Sequence, residues 1–213
     1  MDLVSMEIGN DETQILADAL QNNNTLHTFI ISRRYRKKNQ ITDIGVTYLA
    51  DSLRKNTTLT TLGLDGSKGG YCAVVEAAVQ LRNDKTLTEL DLSDSDIGGK
   101  LVHHLSDALQ DNQTLTILNL CSNKIDDTAM KCLSDALETH TMLITLDLAE
   151  NKIQDFGAQC LARILKKSKT LTTLILRSNQ IGQDGAQYIS DALEHNPVSF
   201  IDYQINLTLA FMF

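Results

Sequence analysis

Residues 143–165 read LITLDLAENKIQDFGAQCLARIL, and this stretch decides the fold. Its opening follows L-x-x-L-x-L, and alternation at period two turns leucines to one face of a short strand. Its close, GAQCLARIL (157–165), spaces apolar residues at Cys160/Leu161, Ile164 and Leu165 as a helix does. Asn151 and Ile153 stand between the two. One unit is therefore a strand, a turn, a helix and a turn. Outward from it the pattern recurs at Leu59, Leu87, Leu115, Leu143 and Leu171, 28 residues apart. The openings are LTTLGL, LTELDL, LTILNL, LITLDL and LTTLIL. A small polar residue follows in each, at Ser67, Ser95, Asn123, Asn151 and Asn179. An isoleucine comes two residues later at Ile97, Ile125, Ile153 and Ile181.

The repeats extend in both directions. IGNDETQILADAL (8–20) aligns without gaps to IGQDGAQYISDAL (181–193). Leu26, Phe29 and Ile31 open a unit of 33 residues, and Val198, Ile201, Tyr203 and Asn206 restore the pattern one residue early, after Pro197. The reading is a single domain over 1–213. It has a partial repeat at 1–25, six complete repeats at 26–197, and a partial repeat with an apolar tail at 198–213. This pattern resembles the leucine-rich-repeat family, ribonuclease-inhibitor type, as found in Ran GTPase-activating proteins and NOD-like receptors. The resemblance implies an α/β fold: a right-handed solenoid in a horseshoe arc, with parallel strands on the concave face and helices on the convex face. The physics of the unit agrees. Neighbouring strands stand ~4.8 Å apart, packed helices ~8–10 Å, and such a stack must curve.

Composition narrows the function. The formal net charge is −8, from 19 basic and 27 acidic residues, which disfavours a nucleic-acid footprint. No apolar run approaches a bilayer span, and the start, MDLVSMEIGNDETQ, has no secretory h-region. Four cysteines are too few for a disulfide scaffold, so a reducing cytoplasm, or a host cell's cytosol for a pathogen effector, is the expected location. His27, His103, His104, His140 and His195 read as solvated surface, and Cys132 and Cys160 as buried thiols. GSKGG (66–70) and IGGK (97–100) lack the phosphate-loop frame. No catalytic residue, metal site or cofactor is expected. The Asp column Asp18, Asp51, Asp107, Asp135 and Asp191 reads as a solvated helix face.

The wall opposite the leucines carries the functional expectation. Strand parity turns outward Thr61/Gly63/Asp65, Glu89/Asp91/Ser93, Ile117/Asn119/Cys121, Thr145/Asp147/Ala149 and Thr173/Ile175/Arg177. Asp94 and Glu150 lie just beyond the strands. The candidate partner-binding residues are Glu89, Asp91, Asp94, Ile117, Asn119, Cys121, Asp147, Glu150, Ile175 and Arg177. Isoleucines exposed among carboxylates suit a protein segment with basic and apolar groups. Two departures break the pattern. RRYRKK (33–38) inserts Arg33, Arg34, Arg36, Lys37 and Lys38, a basic cluster read as a solvated loop, with a nuclear-import signal or an acidic-partner contact as the alternatives. The unit 59–86 carries Gly63, Gly66, Gly69 and Gly70, which predicts flexibility or a notch. The tail LTLAFMF (207–213) is expected to cap its own last unit, leaving a monomer, with tail-mediated pairing as the other outcome. The expected function is a non-catalytic adaptor or effector module that binds a protein on its concave face. A GTPase-activating or ribonuclease-inhibitor-like regulator is the alternative that the resemblance implies.

Overall fold

The computed structural model describes residues 1, 3, 7–31, 39–64, 70–99 and 101–194. The basic insert 33–38 and the tail 207–213 lie outside them. Helices and three-residue strands alternate: α1 (Asn10–Gln21), β1 (Thr28–Ile30), α2 (Asp43–Leu53), β2 (Thr61–Gly63), α3 (Gly70–Asn83), β3 (Glu89–Asp91), α4 (Leu101–Asp111), β4 (Ile117–Asn119), α5 (Asp127–Leu137), β5 (Thr145–Asp147), α6 (Asp155–Lys167), β6 (Thr173–Ile175) and α7 (Gln183–Glu194). All strand pairs are parallel. Their register matches equivalent repeat positions, so Leu90, Leu118, Leu146 and Leu174 form one row. This is an α/β leucine-rich-repeat solenoid, with strands on one side and helices on the other.

The core follows the leucine columns. Leu118, Leu120, Leu146 and Leu148 are fully buried, as are Ile125 and Ile153. The asparagine column ties each turn to both neighbours. Asn151 Nδ2 donates to the carbonyls of Leu120, Leu148 and Ala149, and its Oδ1 accepts from Ile125 N–H. Asn123 and Asn179 repeat the arrangement.

A second ladder joins the helices. The first residue of one helix caps the start of the next. Asn10 Oδ1 accepts from Thr42 and Gly45 N–H, Asp127 Oδ1 from Gln154 N–H, and Asp155 Oδ1 from Gly182 and Gly185 N–H. The two carboxylates, of Asp127 and Asp155, meet the positive end of the neighbouring helix dipole. Glycine is required opposite them. A Cβ on Gly157 would stand 2.6 Å from Asp127 Oδ1, and one on Gly185 2.6 Å from Asp155 Oδ1.

Among the described residues the strand ladder is broken once. Strands β1 and β2 form one sheet and β3 to β6 another, with no hydrogen bonds between β2 and β3. The buried side chains divide into two clusters at the same place. Helix α3 serves both: Val74, Ala77, Ala78 and Leu81 face the larger cluster, and Cys72, Val75 and Val79 the smaller. None of its residues from Tyr71 to Asn83 is exposed. Small apolar residues on every side let α3 sink between its neighbours, whereas α5 and α6 keep a wet face. Arg54, just after α2, reaches Asp107 of α4 at 2.5 Å across the sunken helix. The irregular unit 59–86 is therefore where the solenoid departs from regularity.

Candidate functional site

The strand face between β3 and β6 is a wall built by parity. The middle residue of every strand is buried, and the residues beside it turn to solvent. Register places Glu89, Ile117, Thr145 and Thr173 in one outward column. Asp91, Asn119, Asp147 and Ile175 form a second. Beyond them run Ser93, Cys121, Ala149 and Arg177, then Asp94, Ser122, Glu150 and Ser178. This face is the inner one, because strands stack more closely than helices.

The second outward column also holds the backbone. Asp91 Oδ1 accepts from Ser93 N–H at 2.9 Å, Asn119 Oδ1 from Cys121 N–H at 3.0 Å, and Asp147 Oδ1 from Ala149 N–H at 2.9 Å. Each closes a short turn where the strand ends. The Ser93 amide and hydroxyl hold the Asp91 carboxyl below the usual aspartate range. Asp and Asn serve this turn equally, since only one oxygen is used.

The exit turns that follow are strained. Asp94, Ser122, Glu150 and Ser178 all have left-handed backbones, with φ of 51°, 54°, 55° and 57°. Such a conformation costs a non-glycine residue free energy. Their amides continue the ladder: Asp94 N–H donates to Cys121 O, Ser122 N–H to Ala149 O, and Glu150 N–H to Arg177 O. Glu150 then gathers two neighbours. Its Oε2 accepts from the Ser122 hydroxyl at 3.0 Å, and its Oε1 pairs with Arg177 at 2.9 Å. At the opposite end Glu89, Asp91 and Asp94 are exposed, and no cation of the described residues lies within ion-pair distance of them. The wall thus runs from free carboxylates at β3 to a closed acid–base pair at β6.

Several residues differ from their sequence-level expectation. Ile117 and Ile175 are half-buried, not exposed, because flanking strands ~4.8 Å away crowd each outward side chain. Ala149 is fully buried; its methyl is too short to rise between Cys121 and Arg177. Cys121 is half-buried, with Sγ 3.5 Å from the Ser122 hydroxyl. Cys160 is buried as expected. Cys132 is only half-buried and lies 3.9 Å from His103 Nε2; burial, the larger cause, and Asp135 push its thiol up, which opposes nucleophilic use. His140 is buried rather than solvated, at 4 % exposure. It occupies the column where Asn56 and Asn112 bind the amides entering the next strand. Those two asparagines are themselves buried junction caps.

On the helix face, a cleft of about 590 Å³ lies by the end of α3, lined by Asp51, Arg54, Arg82, Asp107 and Asp111 among others. Its cations and anions balance, and the Arg54–Asp107 pair crosses it. Further along, Asp135 pairs with Lys131 and Arg163, while Glu138 pairs with Arg163 and Lys167. Part of the Asp column is thus engaged in ion pairs, not solvated alone. Among the described residues no cluster of His, Cys, Asp and Glu is placed to hold a metal ion. None of their helices is long and apolar enough to cross a membrane.

Comparison with known proteins points the same way as the geometry. The Leucine Rich repeat family model matches residues 83–100, 111–134, 139–162 and 167–190, all on the β3 side of the break. None of the curated proteins matches the chain. Among solved structures it is similar to leiomodin-1 actin-binding site 2, at 25 % identity and TM-score 0.56, over 62 % of this chain and 80 % of that one. A Caenorhabditis elegans tropomodulin C-terminal domain aligns at 11 % identity and TM-score 0.40, over 88 % and 92 %. An internalin from Listeria monocytogenes aligns at 16 % and 0.36, over 87 % and 69 %.

Proposed function

Since the chain is a leucine-rich-repeat protein, we propose that it is a non-catalytic protein-interaction module whose strand face, from β3 to β6, holds the partner. One observation carries the reading. Among the described residues Glu89, Asp91 and Asp94 stand exposed without a cation, on the strand next to half-buried Ile117. Free carboxylates next to apolar surface suit a segment that brings lysine or arginine together with an aliphatic side chain. Solenoids offer such extended faces because each repeat adds one more strand to the wall. The likeness to leiomodin-1 actin-binding site 2 makes actin the partner to try first.

The test separates charge from scaffold. Asp91→Asn and Asp147→Asn keep the oxygen that closes each turn, as Asn119 does, and remove the charge. Glu89→Lys reverses a charge that makes no structural hydrogen bond. Combined, they should weaken actin-monomer binding at least tenfold in a fluorescence titration, with the folded signal unchanged. Binding that survives all three would reject the strand face as the site. If actin does not bind the unaltered chain, actin is rejected as the partner.

A further inference from the structure

The break between β2 and β3 leaves a strand edge open within the wall. At each regular junction the amide of the first strand residue donates back to the preceding repeat: Thr61 N–H to His27 O, Ile117 N–H to Thr88 O, Thr145 N–H to Thr116 O and Thr173 N–H to Ile144 O. Glu89 is the equivalent residue of β3, and its ladder partner on β2 is missing. Thr88 O and Leu92 N–H point toward β4. Backbone alternation therefore turns the N–H and C=O groups of Glu89 and Asp91 to the other edge, which faces the break. Helix α3 holds the two ends of the facing strand. Glu76 Oε1 accepts the Leu64 N–H at 2.5 Å, and Asn83 Nδ2 donates to Leu59 O at 2.7 Å. Among the described residues no such seal covers β3. Both of its outward residues are exposed, while β4, β5 and β6 show half-buried ones. Leu90 is 8 % exposed against 0 % for Leu118 and Leu146.

The geometry points to β-strand addition: an extended basic segment of the partner protein pairs along the open edge of β3. This deepens the strand-face reading and rests on it. Charge names the occupant. Glu89 and Asp91 project to one side of β3, so the facing residues of an added strand, two apart, must be lysine or arginine. The residue between them turns inward toward Leu90 and must be apolar. Asp94 extends the acidic lip by one more residue. Three residues of edge span about 10 Å, enough for a basic–apolar–basic core. Backbone pairing supplies affinity and the acidic lip supplies selectivity, as in other edge-binding modules.

The probe is a fluorescein-labelled hexapeptide alternating lysine and valine, titrated against the full chain by fluorescence anisotropy. Two further versions carry N-methyl groups on either the lysines or the valines. Pairing along one edge uses the N–H groups of every second residue. One methylated version should therefore lose affinity at least tenfold, and exchange of the Glu89 and Asp91 amides should slow at least tenfold with the unmethylated peptide bound. Failure of the unmethylated peptide to bind, or equal affinity for all three peptides, overturns the pairing. If all three bind equally and Glu89→Lys still weakens them, side chains alone hold the peptide: the pairing falls and the strand-face reading stands. If the peptides bind and neither Glu89→Lys nor Asp91→Asn with Asp147→Asn alters affinity, the strand-face reading falls too.

Discussion

His140 shows how one side chain strains a repeating design. At the equivalent junction Asn112 accepts the amides of Thr114 and Leu115 and donates to Leu81 O. His140 offers Nδ1 to Met142 N–H at a long 3.4 Å, and its Nε2 is buried with no partner among the described residues. Burial holds the imidazole below the usual histidine range, so the folded state favours the neutral ring. The sign follows: the unfolded chain binds the proton more readily, so this stability is present above about pH 6.5 and is lost as pH falls below it. His140→Asn should restore the junction and raise stability by about 1 kcal/mol at neutral pH. Its advantage should widen between pH 7 and pH 5, read as the difference in Tm between the two proteins. A constant or shrinking difference would contradict a buried neutral ring. Asn151 is the opposite case. Two of its four hydrogen bonds join the adjacent turn, and Asn151→Ala should cost about 1–3 kcal/mol in urea unfolding because buried backbone groups lose their partner.

Among the elements, α2, α6 and α7 each lean on the preceding helix through one carboxylate or amide. Asp155 Oδ1 takes two amides at the start of α7, and Gly185 leaves it room. Gly157→Ala would drive a methyl into both Asp127 Oδ1 and the Ile153 side chain, at 2.6 and 2.7 Å. Alanine is normally the better helix former, by about 1 kcal/mol. Here the substitution should destabilise by about 1–3 kcal/mol in chemical denaturation, since the cap is lost and the site cannot open. A gain in stability would show that the capping ladder contributes little. In the strands, Leu146 is fully buried between two neighbouring leucines, and Leu146→Ala should cost about 2–5 kcal/mol.

Across the whole molecule, stability in a solenoid is a chain of nearest-neighbour interfaces, so the weakest interface sets where it opens. That interface is the β2–β3 junction, where the strand ladder stops and α3 contributes to both buried clusters. In native-state hydrogen exchange, amides of β1 and β2 should exchange faster than those of β4 and β5. Uniform protection across both sheets would mean that α3 couples them fully despite the missing ladder.

The sequence by itself determined the repeat, the leucine columns and the side of each strand that faces the core. Those follow from spacing, because burial repeats with the same period as the chain. The asparagine column was legible for the same reason, and the glycines of 59–86 marked the irregular unit. Tertiary structure alone decided the rest. That Asp127 and Asp155 cap the helices of the next repeat is a contact between residues about 28 apart, signalled only by an aspartate at one helix start and a glycine in the next. That Ile117 and Ile175 are half-buried, and Ala149 wholly so, depends on neighbours across the sheet. That β3 has an open edge depends on how far α3 sinks. Period fixes which way a side chain points, but only the packing of adjacent repeats fixes what it meets there.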